Sequence, residues 1–373
     1  MKRIAIAVAV LIVLAAAASG GWRAWVRSAQ IPDLRVDGGW SSPGGERLLA
    51  FGAARGRGGE ALVVLAGHGV VEQADRMASR PSFARNGTRA AWVRTDGDAW
   101  TIAVCDLATG EVRTAWLFRE QPAGVAMAPD GAAFAVYVGG RVELYDAAGG
   151  KALWSADLRW PGSTDPLFFF ATDERLLFYP PQRGEAHPGR TPVVHPVLAL
   201  DVRTRAVSEV TSFTSDVPGL FVRPSSDGRS FLTLERNRTV VKLDAQPLAT
   251  GGLKLRAAAF LADGGAALVL LGERGSIVRS GACAVSLAEP PGEAWIRETD
   301  SRRVFVAVAA QEKGAWRLYD VDLNRCAARP LGAFAPLDPE ELWFAAALPR
   351  GAGEWPGGQW FVNAARQLER IRP

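Results

Sequence analysis

The chain has 373 residues, 48% hydrophobic and 22% charged, with 43 Lys and Arg against 39 Asp and Glu for a formal net charge of +4. That balance describes an ordinary globular core rather than a disordered chain, and the interspersed signs leave no basic block to track phosphates, so no nucleic acid is expected as a partner. Three cysteines are too few for a disulfide framework, and with the three histidines they show no zinc-type spacing.

At the N-terminus, Lys2 and Arg3 precede an apolar run from Ile4 to Ala18, followed by Ser19, Gly20 and Gly21. A charged start, an apolar stretch and small residues make a signal peptide, with Ala16 and Ala18 suited to cleavage before Ser19. The same stretch also reads as an uncleaved membrane anchor. Residues 4–21 fall just short of a full span, Trp22 and Trp25 sit where interfacial aromatics belong, and Arg23 and Arg27 fit poorly behind a cleavage site. No cysteine follows the run directly, which excludes a lipobox. Residues 1–30 are thus a signal or anchor with a short linker, and the membrane is met only through them. Residues 31–373 are expected on the extracytoplasmic side, periplasmic or secreted, as a single domain.

The rest of the chain repeats. One turn recurs as Ala84-Arg85-Asn86-Gly87, Ala128-Pro129-Asp130-Gly131, Ser225-Ser226-Asp227-Gly228 and Ala262-Asp263-Gly264-Gly265, with looser copies at Ser42, Thr172 and Thr299. Asn-Gly and Asp-Gly supply the positive φ angles that short hairpins need. Each turn is followed by a short apolar run rich in β-formers, such as Ala132 to Val138 or Leu176 to Tyr179. A second strand pattern then ends in aspartate, at Asp106, Asp146, Asp201, Asp244 and Asp320. The unit is strand, turn, strand, loop, strand, Asp-marked turn, strand, and one such unit cannot bury both faces alone. Successive turns lie 42, 44, 44, 53, 37 and 37 residues apart, with an eighth copy discernible from Pro336. These are propeller-blade lengths. The expectation is an all-β propeller of eight four-stranded antiparallel blades, or seven if the degenerate first and last copies combine.

Ala128-Pro129-Asp130-Gly131 with Tyr145-Asp146, and Ala84-Arg85-Asn86-Gly87 with Asp106, resemble the WD40-like repeat of TolB-type propellers and the related YVTN repeat. The resemblance spans residues 37–372. Gly150-Lys151-Ala152-Leu153-Trp154 resembles a PQQ-type repeat once, and no copy carries the Trp-Asp of true WD repeats. The resemblance implies an envelope-associated propeller that binds protein partners, with its Asp and Gly residues serving as turn formers.

Catalytic patterns are sparse. No Gly-x-Ser-x-Gly occurs, and no glycine pair opens a helix after a strand. The aspartates recur once per repeat, so Asp106, Asp146, Asp201, Asp244 and Asp320 at strand ends, and Asp130 and Asp227 in the first turns, read as structural. The alternative is a channel metal held by some of them. The most individual segment runs from Pro180 to Pro196 between the second and third strands of the fourth repeat. It places Arg183, His187, Arg190 and His195 on one loop face, joined there by Arg55 and Arg57, as candidate binding residues. Two histidines without a nearby acid or thiol make no metal site, and no cofactor is expected. Trp92, Trp116, Trp154, Trp316 and Trp343 should pack between blades, while Trp160 and Trp355, beside prolines, are candidates for exposed contacts.

Function therefore reads as a non-catalytic scaffold that binds another envelope protein. One alternative is a propeller enzyme of lactonase or sugar-acting type, which needs an acidic or metal cluster in the channel. The other is a ligand-sensing propeller, for which exposed Trp160 and Trp355 are prerequisites. Cys105, Cys283 and Cys326 read first as buried small hydrophobes, with pairing of Cys283 and Cys326 open to an exported chain.

Overall fold

The computed structural model describes residues 34–41, 48–54, 61–65, 69–74, 76–77, 79, 81–161, 165–180, 193–215, 221–235, 240–261, 263–273, 275–287, 294–300, 302–309, 316–334, 359–362 and 368–371. The N-terminal segment, Arg55, Arg57, Arg183, His187, Arg190, Trp343 and Trp355 lie outside the described residues.

The repeated unit is clearest at residues 124–157. Strands Gly124–Met127, Ala133–Val138, Arg141–Asp146 and Ala152–Asp157 pair in sequence order, each antiparallel to the next. The turn Ala128 to Gly131 closes with Gly131 N donating to Ala128 O at 2.9 Å, and Gly131 takes φ +73° as the turn requires. Gly139 and Gly140 both have positive φ (55° and 78°), the pair that a two-residue hairpin between the second and third strands demands.

Among the described residues this meander recurs in seven sheets, spanning residues 34–74, 76–118, 124–157, 167–215, 221–247, 254–286 and 294–334. We number them first to seventh. In the second, two short strands, Arg76–Met77 and Ser82–Phe83, share the inner edge of Arg89–Asp96. A two-stranded pair follows at Gln359–Val362 and Leu368–Ile371.

Strand alternation stacks the sheets. In the third sheet Phe134 and Val136 face the second sheet, and Ala135 and Tyr137 face the fourth. In the fourth, Leu176 and Phe178 face the third while Leu177 faces the fifth. In the sixth, Leu268 and Leu270 face the fifth while Ala267 and Val269 face the seventh. A period of two with both faces buried yields an unbroken apolar run rather than alternation of apolar and polar residues. That is why Ala-Phe-Ala-Val-Tyr-Val and Ala-Ala-Leu-Val-Leu-Leu are apolar throughout. Trp92 is fully buried between the first and second sheets, and Trp154 packs on the core between the third and fourth, as expected of them. The second and third, third and fourth, and sixth and seventh sheets approach one another along their first strands, which marks those edges as the inner ones. The result is the arrangement of propeller blades.

Close packing reaches the turns. Gly228 has φ +67°, and a Cβ there would lie 2.1 Å from Leu177 Cδ1 and 2.9 Å from Ala171 Cβ of the neighbouring sheet. Only glycine meets both demands at that position.

Candidate functional site: a latched turn face and inner arginines

The first and third turns of each sheet lie side by side on one face of the molecule. Leu107 N donates to Thr88 O, Ala147 N to Ala132 O, Val202 N to Glu174 O and Leu323 N to Arg302 O, each at 2.9 Å. The links between second and third strands lie on the opposite face, where Leu158 N reaches Gly140 O at 2.8 Å.

On the turn face the aspartates are acceptors for turn amides. Asp106 Oδ1 takes the N–H groups of Ala108 and Thr109 (3.0 and 2.9 Å), Asp146 those of Ala148 and Gly149, and Asp201 those of Arg203 and Thr204. Asp130 accepts from Ala132 N at 2.8 Å, and Asp227 from Arg229 N at 3.1 Å and the Ser225 hydroxyl at 2.6 Å. Asp244, in a tighter turn with φ +48°, reaches back to Phe231 N at 2.7 Å. Asp320 departs from the set. Its strand runs on from Trp316 to Asp322, and Asp322 accepts the turn amides of Asn324 and Arg325, both at 3.0 Å. The strand-end role expected of Asp320 therefore belongs to Asp322. Tyr319, Val321 and Leu323 all face the sixth sheet, so their packing carries the strand past Asp320. Asp320 itself is 6% exposed and paired with Arg303 and with Arg329, the latter at 3.4 Å.

These hydrogen bonds set an acid limit. Partial burial pushes the Asp106 carboxyl up, but the amides of Thr109 and Ala108 outweigh it and hold the group below its ordinary value. The Thr204 amide lowers Asp201, and the Ser225 hydroxyl lowers Asp227. A carboxyl whose folded pKa is depressed adds stability above its unfolded value, about 3.9, and loses it as pH falls through the folded value. The melting temperature is therefore expected to be insensitive to these groups from neutrality to about pH 5 and to fall below about pH 4. Thermal scans of the wild type beside Asp106→Asn check this, the variant showing the shallower acid decline.

Neighbouring turns are latched to one another. Asn86 N donates to Pro129 O (3.0 Å), Asn86 Nδ2 to Asp130 O (2.7 Å), and Arg89 Nη1 to Gly131 O (2.9 Å), joining the second sheet to the third. Asp130 N donates to Asp173 Oδ1 at 3.0 Å, and Arg302 meets Asp263 at 2.7 Å between the seventh and sixth sheets. Further out, Arg113 bonds Ala148 O, and Cys283 and Cys326 form a disulfide between the sixth and seventh sheets with Cα atoms 5.5 Å apart. The bridge replaces the reading of three unpaired cysteines. Cys105 stands outside the disulfide, buried beside Trp92 with its Sγ 3.5 Å from Asp106 O.

The longest latch is Arg85. Its Nη2 donates to Ala171 O of the fourth sheet at 3.1 Å and to Ser226 O in the first turn of the fifth sheet at 2.8 Å. From the inner strand of the fifth sheet, Arg223 Nη1 donates to Ala258 O of the sixth at 2.8 Å. Burial pushes the Arg223 guanidinium down, and the Tyr179 phenol, itself raised by burial, partly counters this. Sequence reasoning missed both arginines. One signal was available: Arg85 is a long basic side chain where the other Gly-ended turns carry Pro129, Ser226 or Asp263.

The six loop residues singled out from the sequence are not brought together within the described part. His195 is the one that falls on a described strand, Val193–Asp201, opposite Phe213, and nothing further is described of its side chain. The connection is thus residues 180–192, shorter than expected, because Val193 and Val194 already pair with Ser215 and Thr214. Trp160 is half-buried against the core between the third and fourth sheets, with its Nε1 buried and unbonded, so it is not the exposed contact expected of it. Among the described residues no three His, Cys, Asp or Glu side chains gather as metal ligands.

No protein-family model matches the chain, and no curated protein is similar to it in sequence. Solved structures do match. A prolyl endopeptidase superposes with TM-score 0.53 at 14% identity, over 84% of this chain and 52% of the enzyme. The fold is that of a β-propeller. The chain spans about half the length of that enzyme. Dipeptidyl peptidase 4 of Porphyromonas gingivalis matches with TM-score 0.49 and 12% identity, over 82% of this chain and 53% of that one. The β-propeller domain of the trilobed protease from Pyrococcus furiosus matches with TM-score 0.48 and 11% identity, over 80% and 96%.

Proposed function

We propose that the protein is a non-catalytic, extracytoplasmic β-propeller that acts as a protein-interaction scaffold of the cell envelope. The observation that carries this reading is the asymmetry of its two faces. On one face the aspartate carboxylates are taken up by turn amides and the turns are tied sheet to sheet. That face is built for rigidity, and its acids are occupied. On the opposite face second strands end and third strands begin, and the interval from Tyr179 to Val193 is the longest of these among the described sheets. Loops mounted on a rigid frame are the usual carriers of recognition.

Two finer points accompany the proposal. We infer eight blades of TolB-like type, with the pair Gln359–Val362 and Leu368–Ile371 belonging to the last. Residues 1–30 carry it out of the cytoplasm as a signal or anchor. The Cys283–Cys326 disulfide supports that destination, because such bridges persist in oxidising compartments. Affinity capture from envelopes tests the scaffold. A tagged wild-type chain is expected to retain a discrete partner, and a chain with residues 181–192 replaced by a short Gly-Ser link is expected to lose it while keeping the same circular dichroism and melting temperature. Retention of the same partner by the shortened chain would refute the assignment to this face.

A further inference from the structure

The outer strand of a propeller sheet is an edge, and an open edge is a template for pairing with another chain unless shortness, charge or proline blunts it. Most outer strands here are blunted. The fifth sheet ends in two residues, Gln246–Pro247, and the sixth in four, Cys283–Ser286. The seventh carries Arg329 and Pro330 within Ala327–Phe334, and the second carries Arg113, which bonds Ala148 O of the third sheet. The third ends on Asp157, 3.7 Å from Arg141. The fourth sheet departs from that habit. Its outer strand, Val207–Ser215, is nine residues long, contains no proline and carries a single charge, Glu209.

The far half of that strand is set apart by its pairing as well. A bulge at Val210 separates Glu209, opposite Leu198, from Thr211, opposite Val197. Beyond it, Thr211–Ser215 pair residue for residue with Val193–Val197. The second strand, Arg175–Tyr179, pairs with the third only as far as Leu198, opposite Phe178. Among the described residues, Val193–Val197 and Thr211–Ser215 therefore form a two-stranded ribbon that overhangs the sheet toward the loop face, and no strand pairs with its Thr211–Ser215 edge. Phe213 anchors the ribbon, its ring 5.9 Å from that of Phe231 in the fifth sheet. Ser212 and Thr214 are exposed, and Val194, opposite Thr214, is 58% exposed. A two-stranded ribbon is marginal by itself, and a further strand along its edge stabilises it.

We propose that Thr211–Ser215 pairs antiparallel with the same segment of a second copy of the chain, about a two-fold axis at Phe213. The segment Thr-Ser-Phe-Thr-Ser reads nearly alike in both directions. Pairing it with itself sets Thr211 opposite Ser215, Ser212 opposite Thr214 and Phe213 opposite Phe213. Every pair but the central one then joins hydroxyl residues, which pair favourably across strands, and no like charges meet. The two ribbons become one four-stranded sheet. The contact is isologous, so the assembly closes at two copies. It does not use the 181–192 segment and stands independently of the scaffold reading.

Sedimentation equilibrium of the full-length chain in neutral detergent, from micromolar to millimolar protein, tests the pairing. Wild type is expected to pass from monomer to dimer across that series. A double variant, Ser212→Lys with Thr214→Lys, changes two exposed side chains and should melt as wild type does. It should weaken the dimer by about tenfold, because two cross-copy pairs become like-charged. Ser212→Glu with Thr214→Glu should do the same alone. An equimolar mixture of the two double variants should associate at least as tightly as wild type, since lysine then faces glutamate. The chain with residues 181–192 replaced should dimerise as wild type does, which separates loss of the dimer from loss of a scaffold partner. A wild type that stays monomeric, a dimer unchanged in the lysine variant, or a mixture that does not associate would overturn the proposal.

Discussion

Replacing Cys283 with Ser is expected to lower the melting temperature by about 6 °C, the shift that a loss of about 4 kcal/mol produces in a domain of this size. The bridge joins Cys283, at the start of the outer strand of the sixth sheet, to Cys326, in the third turn of the seventh. It closes a loop of 43 residues that contains the whole inner part of the seventh sheet. Without it, the contact between these two sheets rests on their shared core and on the Arg302–Asp263 pair. Reductant should lower the wild type to the level of the variant and leave the variant unchanged. Unfolded protein kept from reductant should titrate with one thiol, Cys105, out of three. Three titratable thiols and no effect of reductant would remove the disulfide and, with it, a support for the extracytoplasmic destination.

The second large effect is expected at Asp320. Asp320→Ala should cost about 2–3 kcal/mol, whereas Asp322→Ala, two residues on, should cost about 0.5–1 kcal/mol. Asp320 is buried between two strands that each send it an arginine, Arg303 from the second strand and Arg329 from the fourth. Removing it leaves two guanidinium groups facing each other across the site of a lost carboxylate. The cost stays below that of a fully buried pair because Arg303 and Arg329 are 43% and 64% exposed and can turn to water. Asp322 accepts two turn amides at the surface, and those amides can be hydrated when it is lost. Chemical denaturation of both variants checks the order. The reverse order would return the strand end to Asp320.

That pair of residues also illustrates what can be read from the chain alone. Sheets and turns were legible because each follows from local chemistry: apolar runs bounded by Asp-Gly and Asn-Gly can only be short strands in hairpins. The strand end at Asp320 was misplaced because Leu-Tyr-Asp matched the Tyr145-Asp146 copy, and the match stopped the reading one step early. A better signal was present. Asp106, Asp146, Asp201 and Asp322 are each followed by an apolar residue, Leu107, Ala147, Val202 and Leu323, that turns back into the core. Asp320 is also followed by an apolar residue, Val321, but that residue continues the alternation of Tyr319 and Leu323. Periodicity across five residues, rather than a two-residue match, separates the two aspartates.

The arginines were not legible for a different reason. Arg85 meets a carbonyl 141 residues away. No local pattern encodes a contact of that span, which exists only once the sheets have closed round their inner edges. The disulfide lies between these extremes. Both cysteines fall late in successive repeats, so stacking brings them together, but only the stacked geometry chooses pairing over burial.

The claim that one face is locked and the other recognises a partner is tested most directly by site-specific photo-crosslinking in intact envelopes. A photoreactive residue would be placed in turn at positions 183, 187 and 190 on the loop face, and at 109, 148 and 203 on the turn face. The account predicts one discrete crosslinked partner from the first set and none from the second. Crosslinks from the turn-face positions alone would contradict it.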